Sequence, residues 1–573
     1  MKLHLGRYEE RVRARVEALR SAGAPGRIFE HDATFWGGDD ARRGSVASRL
    51  GWLTVADEMR AHVDELRAFA DEVRAAGYRD AVLLGMGGSS LAPEVLRQSV
   101  AVPRSHVERP AGLRLHVLDT TDPATIRAVA DAIDITRTLF FVSSKSGTTI
   151  EPLCLFAYFH GLAEAVRPGR AGEQFVAITD PGTPLQRLAE EHRFRRVFTN
   201  PQDIGGRYSA LSYFGLAPAV VAGVDIDTLL ERGSAMAEAS RRPQGEALTL
   251  GAVLGELALA GRDKCTFVVS PSIASFGLWV EQLIAESTGK DGKGILPVAG
   301  EPLATPLQYG DDRLFVQVRL EADDNGEEDA AIGALIAEGF PAVIIELTED
   351  EYDLGGEFFR WEFAVAVAGQ VLGINPFDEP NVQESKDNTH RVLAELERTG
   401  ELDVHDIDGH PTPVVLTTAG RQASGDLGCV LRELLTGVAP PQYVAFTAYV
   451  RETDATDAAF DGMRQALVEG PHVATTLGYG PRFLHSTGQL HKGGPRTGVF
   501  VQVTQTDADD IAIPGRPFTF GQLKRAQAIG DFEALAAHGL PAVRVHVGDD
   551  VERGLRALRG ALLEATATGA REG

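Results

Sequence analysis

The sequence predicts an α/β protein: two doubly wound parallel-sheet units followed by a third C-terminal α/β region. Three observations lead there. From residue 81 onward, short apolar β-forming runs alternate with helical segments at the spacing of βαβ units. Two of the early runs end in loops rich in glycine and hydroxyls, at 85–90 and 143–149. In a parallel sheet such loops share the carboxyl edge, where ligands bind, so both can converge on one ligand. Finally, short stretches of the second unit recur, in order, about 200 residues further on.

In chain order, residues 1–55 read as an N-terminal helical segment, with a charged helix over about 8–22 and then a Gly-rich polar stretch. An amphipathic helix over 56–76 puts Met59, Val63, Leu66, Ala70 and Val73 on one stripe, and Gly77 stops it. The first sheet unit, 56–210, takes its strands from 81–84, 113–118, 138–142, 174–179 and 196–198, with helices between them. The second unit, 211–398, opens with a helical stretch to about 260. Strands follow at 265–270, 295–298, 314–320 and 342–347, with helices at 274–286, 328–338 and 357–372. A Pro-containing connector at 375–386 leads into another helix, and the polar stretch 399–412 is the predicted linker. The third region, 412–573, carries the echo. Phe315-Val316-Gln317-Val318 returns as Phe500-Val501-Gln502-Val503, and Gly339-Phe340-Pro341-Ala342-Val343 as Gly539-Leu540-Pro541-Ala542-Val543. Ser287-Thr288-Gly289 returns as Ser486-Thr487-Gly488, preceded by Glu286 in the first copy and His485 in the second. Duplication of the second unit is the expected origin.

At 573 residues the chain is too long for one ordinary domain. Its formal net charge of -25 argues against nucleic-acid or anionic-membrane partners, although a local basic pocket can still hold a phosphorylated small molecule. Three widely spaced cysteines, Cys154, Cys265 and Cys429, suit a reducing compartment and show no metal spacing. There is no apolar signal core near Met1 and no apolar run of membrane length, so a soluble cytoplasmic protein is expected. The run Gly85-Met86-Gly87-Gly88 is not a full dinucleotide fingerprint, and no HExxH or His/carboxylate cluster is present. Neither a cofactor nor a metal is expected.

The stretch Ser143-Ser144-Lys145-Ser146-Gly147-Thr148-Thr149 lies between a strand and a helix start. Hydroxyls, a lysine and unpaired helix N–H groups make an anion seat, although ordinary Ser/Thr capping uses the same residues. Four further motifs join it in order: Gly87-Gly88-Ser89, Gly205-Gly206-Arg207-Tyr208-Ser209, Glu286-Ser287-Thr288-Gly289-Lys290, and Phe377-Asp378 leading to Lys386. Each is weak alone. Together, across about 60–390, they resemble the glucose-6-phosphate isomerase family, whose fold has two sugar-isomerase (SIS-type) units. The C-terminal region resembles the isomerase half of transaldolase–isomerase fusion enzymes.

The resemblance implies an aldose–ketose isomerase of glycolysis and gluconeogenesis that interconverts glucose 6-phosphate and fructose 6-phosphate through an enediol. Two alternatives stay open: a broader glucose/mannose 6-phosphate isomerase, and a non-catalytic sugar-phosphate sensor, which would have no use for the whole Glu286, Arg207 and Lys386 set. By the resemblance, Ser144, Ser146 and Thr149 bind the phosphate, Ser89 assists and Lys145 sits beside the sugar. Glu286 is the general base, delivered at the end of an apolar helix where burial raises its pKa. Arg207 stabilises the enediolate oxygen, and Lys386 helps to open the sugar ring. In the family a histidine shares that last task, supplied by the partner of a homodimer. Here residues 287–389 hold no histidine. His491 is therefore the first candidate, His485 the second and His390 the third, the first two on the echo of the Glu286 motif. Glu379 stands where the family usually has glutamine.

Overall fold

The computed structural model describes residues 1–101, 112–400, 414–417 and 427–569, so most of the predicted linker lies outside the described residues. Three five-stranded sheets organise the described residues. The strands in chain order are β1 (Lys2–His4), β2 (Asp80–Leu84), β3 (Arg114–Leu118), β4 (Thr138–Ser143), β5 (Phe175–Thr179), β6 (Arg196–Thr199), β7 (Lys264–Val269), β8 (Leu296–Val298), β9 (Arg313–Leu320), β10 (Ala342–Leu347), β11 (Val414–Thr417), β12 (Tyr443–Tyr449), β13 (Ala474–Tyr479), β14 (Gly498–Thr504) and β15 (Ala542–His546).

The first sheet has the order β3-β2-β4-β5-β6 and is parallel throughout. Its central strands are buried, as their unbroken apolar runs require of a sheet covered on both faces. The strand β2 stops at Gly85 because the chain turns back on itself there: a Cβ on Gly85 would lie 2.8 Å from the Ser89 carbonyl. On the next two glycines other loops close in. A Cβ on Gly88 would lie 2.1 Å from the Gly206 carbonyl oxygen, and one on Gly87, whose φ is +53°, 2.8 Å from the His485 carbonyl oxygen. Only glycine lets the 85–90 loop touch both neighbours.

The second and third sheets share one plan. Their orders are β1-β10-β9-β7-β8 and β11-β15-β14-β12-β13, each with an antiparallel edge strand on four parallel ones. The register matches too: Phe315 pairs with Ala342, and Phe500 with Ala542. Phe315 N–H donates to the Pro341 carbonyl at 3.0 Å, and Phe500 N–H to the Pro541 carbonyl at 2.9 Å. The echo in the sequence is therefore an echo in strand order, register and hydrogen bonding. The corresponding segments also meet. A Cβ on Gly289 would lie 2.3 Å from Leu490 Cα, Gln489 Nε2 donates to the Gly289 carbonyl at 2.9 Å, and Arg464 reaches the carbonyl of Gly300.

Three features depart from the sequence expectation. The predicted connector at 375–386 is already helical from Pro380, in the helix Pro380–Thr399 that carries Lys386, because proline suits the first turn of a helix. The N-terminal segment is not wholly helical. Residues 2–4 form β1, the edge strand of the second sheet, and the Met1 ammonium pairs with Glu246 at 3.0 Å. Three residues are too few to show alternation, and the neighbouring strand supplies the backbone partners. The amphipathic stretch at 56–76 is two helices, Val55–Arg60 and Val63–Ala75, and the stretch 211–260 is three. Behind the sheet edges, Trp52, Tyr208 and Phe377 pack with ring centroids 5.3 Å (Trp52–Tyr208 and Tyr208–Phe377) apart. Aromatic pairs of this kind contribute about 0.5–1.5 kcal/mol beyond area burial. They hold the Arg207 loop and the Phe377 loop against each other. Among the described residues, no helix is long and apolar enough to cross a membrane.

Candidate active site

The two carboxyl-edge loops at 85–90 and 143–149, with the loop at 205–209, close on a cavity of about 470 Å³, lined among others by Gly87, Ser89, Lys145, Ser146, Thr149, Arg207, Glu286, Glu379, Lys386 and His485. A second cavity adjoins it across Thr149, Lys386 and His485 and runs on to Glu151, His390 and Gln527. The volume suits a small polar ligand.

Glu286 sits in the last turn of the helix Phe276–Thr288, and its side chain is buried. One turn earlier, Gln282 Nε2 donates to Glu286 Oε2 at 2.9 Å and to the His485 carbonyl at 2.8 Å, tying the second and third sheet regions together beside the carboxylate. Arg207 lies across from it, 2% exposed. Its Nε donates to Ser287 Oγ at 2.8 Å, and its Nη2 donates to the carbonyls of Pro376 at 2.8 Å and Asp378 at 3.0 Å. The remaining nitrogen, Nη1, stands 3.1 Å from Glu286 Oε1 and 3.1 Å from Glu379 Oε2. Burial pushes the Glu286 carboxyl above its ordinary value, and the Arg207 charge restrains the rise. Lys290 binds Asp378 just beyond, and burial next to Arg207 brings its ammonium down to about 8.

The hydroxyl loop holds its own shape. Ser144 Oγ donates to Thr149 Oγ1 at 3.0 Å and accepts from Gly147 N–H at 3.1 Å, while Ser146 and Thr148 hydroxyls meet at 2.9 Å. Ser146 and Thr149 line the cavity; Ser144 is buried behind them and braces the loop through its bonds to Thr149 and Gly147. Lys145 also lines the cavity, with its ammonium held by Asp180 and by the Gln202 carbonyl, and burial lowers its pKa. The helix Ile150–Val166 starts directly after the loop and aims its N-terminal N–H groups at it.

The histidines sort differently from the order the sequence suggested. His491 is not in the cavity. It is 5% exposed and packed between Phe500, at 5.0 Å, and Phe483, at 6.2 Å. Burial, aided by the Lys492 charge, holds its imidazole down at about 3. The reason is local: the helix Gly488–Gly493 turns residue 491 toward β14, whereas His485 lies in the preceding turn, Arg482–His485, on the cavity side. His485 Nε2 stands 3.0 Å from Glu151 Oε1, and Gln527 Nε2 donates to that same oxygen at 2.7 Å. Thr121 Oγ1 in turn donates to Gln527 Oε1 at 2.9 Å. Burial alone would raise the Glu151 carboxyl, but the neighbouring His485 and Lys386 outweigh it and leave it below its ordinary value. His390 lines the adjoining cavity rather than the one that holds Glu286. The sequence reading gave no role to Glu151, Gln527 or Gln282, although Glu151 directly follows the hydroxyl loop.

Because His491 is neutral when folded and free to take a proton when unfolded, acidification costs stability. The loss begins below the unfolded value of about 6.5 and continues toward 3. Between pH 7 and pH 5 this group should cost about 2 kcal/mol. Urea unfolding at the two pH values should show His491→Phe losing less stability on acidification than the native chain, whatever its absolute stability.

The fold and the site together are those of an α/β isomerase. A sequence model of the Phosphoglucose isomerase family matches residues 46–297, a span that holds the first three loops and Glu286. The glucose-6-phosphate isomerase of Rubrobacter xylanophilus is 32% identical over 381 residues, 58% of this chain and 87% of that enzyme. The chain belongs to the phosphoglucose isomerase family. Among solved structures, a hypothetical protein from Thermus thermophilus is similar at a TM-score of 0.54 and 28% identity, covering 65% of this chain and 98% of that one. A glucose-6-phosphate isomerase from Chlamydia trachomatis shares the fold at a TM-score of 0.50 and 20% identity, over 65% of this chain and 79% of its own.

Proposed function

We propose that the chain interconverts glucose 6-phosphate and fructose 6-phosphate, with Glu286 moving the proton between C2 and C1. The observation that carries the reading is a buried carboxylate against a guanidinium in the same cavity as a hydroxyl-rich helix start. In this reading Ser146, Thr149, Ser89 and the N–H groups ahead of the Ile150–Val166 helix hold the phosphate dianion, and Ser144 keeps the loop in shape. Lys145 borders the sugar with its charge shared by Asp180. Glu286, raised in basicity by burial, takes the C2 proton as the carbonyl at C1 becomes an enediolate oxygen. Arg207 stabilises that oxygen's charge. The same carboxyl then returns the proton to C1.

His485 and Lys386 open the ring. With Nε2–H donating to Glu151, the other imidazole nitrogen is left to exchange a proton with the ring oxygen. The third region, 412–573, acts here as a diverged copy of the second unit, 211–398, that completes the site assembled with the first unit, 56–210. Its identical strand order and register support that reading. So does the replacement of the base position, Glu286, by His485 in the copy.

Turnover in heavy water followed by NMR tests the proposal. Glucose 6-phosphate should yield fructose 6-phosphate carrying solvent deuterium at C1, and the reverse reaction deuterium at C2. Binding of the sugar phosphate with neither product nor exchange would overturn it and return the sensor reading.

A further inference from the structure

Arg207 Nη1 has two carboxylates at 3.1 Å, but it treats them differently. The N–H directed at Glu379 makes a hydrogen bond, whereas the approach to Glu286 is an ion-pair contact without one. Nε and the two N–H groups of Nη2 are taken by Ser287, Pro376 and Asp378, so of the two N–H groups on Nη1 one bonds Glu379 and the other makes no hydrogen bond to Glu286. We infer that Glu379 is a positioning residue that tunes the base: by accepting one Nη1 hydrogen bond, which holds the guanidinium in an orientation that makes none to Glu286, and by adding a second negative charge, it keeps the Glu286 carboxylate free of a charged donor and more basic. A carboxylate that accepts a charge-assisted hydrogen bond is a weaker proton acceptor, so diverting that bond strengthens the base.

The groups that face Glu286 are few. Gln282 donates to it from its own helix, Lys290 lies just beyond that helix, and Arg207 and Glu379 come from the loops at 205–209 and 376–380. His485 and Lys386 share the cavity, and Asp378 is occupied by Lys290. Glu379 is the negative member of this set whose charge bears on Glu286 directly, and it acts with burial in the same direction. Its side chain is 35% exposed and also within 3.9 Å of Arg49, so solvent and Arg49 moderate the effect without cancelling it. Glutamate here gives the chain a charged tuning group where a glutamine would supply the same hydrogen-bond acceptor and no charge.

The inference rests on Glu286 being the base, and the test separates the two claims. Glu379→Gln keeps size and an acceptor for Nη1 while removing the charge. In that variant the Glu286 carboxyl, followed by carbon NMR of the protein with labelled glutamate, should titrate about half to one pH unit lower than in the native chain. The acid limb of kcat/KM should move down by the same amount, while a merely structural loss would lower the plateau and leave the limb in place. An unmoved or raised Glu286 titration overturns the tuning role. A lowered titration with a static acid limb upholds it and removes Glu286 from the base position. Glu379→Asp, which keeps the charge on a shorter arm, should leave the limb nearer its native position than Glu379→Gln does.

Discussion

Glu286→Gln is expected to lower kcat for glucose 6-phosphate by about 10²–10⁴-fold, the contribution of a positioned general base, with KM changed little. The amide matches the carboxylate in size, so Gln282 and Arg207 retain a partner and the cavity keeps its shape. What disappears is the basicity: the amide oxygen keeps its lone pairs but cannot take a proton from carbon. The native activity should also fall on the acid side at a pH above the ordinary carboxylate range. Burial raises the Glu286 pKa, the base works only when ionised, and activity is lost as pH drops through that raised value. Steady-state kinetics with solvent-deuterium exchange checks both parts. Loss of less than about tenfold, with exchange intact, would take the proton transfer away from this residue.

His485→Ala carries the second large effect. Protonating a ring oxygen and removing a hydroxyl proton are general acid–base steps worth about 10²–10⁴-fold, and an imidazole oriented by Glu151 can both give and take a proton. The expected result is a loss of that order on the cyclic sugar and a much smaller one on an open-chain analogue that needs no ring opening. His491→Ala should show no such split, because its ring lies among Phe483, Phe500 and Tyr443 rather than at the cavity. Equal losses on both substrates for His485→Ala would mean that the imidazole holds the site together instead of moving a proton.

The contrast between these two histidines shows where the sequence stopped being informative. The loops were legible because their chemistry is local. A glycine run after a buried strand and a hydroxyl run before a helix are each weak alone, but their order along the chain made them legible together, and the structure brings Ser89, Ser146, Thr149, Arg207, Glu286 and Lys386 to one cavity. The echo was legible for the same reason: β9 and β14 are buried on both faces and keep their side chains. The ranking of His485 against His491 was not. They flank the same Ser-Thr-Gly, and which one faces the cavity depends on how a six-residue helix packs on β14, a tertiary fact with no sequence period of its own. Glu151 was missed because a glutamate in the first turn of a helix already has a sufficient reason to be there, the helix dipole. Its partner Gln527 lies 376 residues away and gives no local sign of the contact. That Ser144 is buried behind the loop's cavity face was not legible, because composition cannot tell a hydroxyl that faces a cavity from one that braces a turn.

The sharing of one cavity by Glu286 and His485 has a kinetic consequence. They arrive on corresponding segments of two like sheets, joined by one continuous chain. The histidine is therefore tethered to its carboxylate, and its effective concentration at the site is set by the intervening chain rather than by how much protein is present. Specific activity contributed by this pair should hold constant on dilution, because no second-order encounter is needed to bring imidazole and base together. Tethering also frees the two copies from identity. In a pair built from two identical chains, any substitution that turns a base into an imidazole in one copy does so in both. Here position 286 can stay acidic while position 485 becomes basic, and each half can specialise for its own proton.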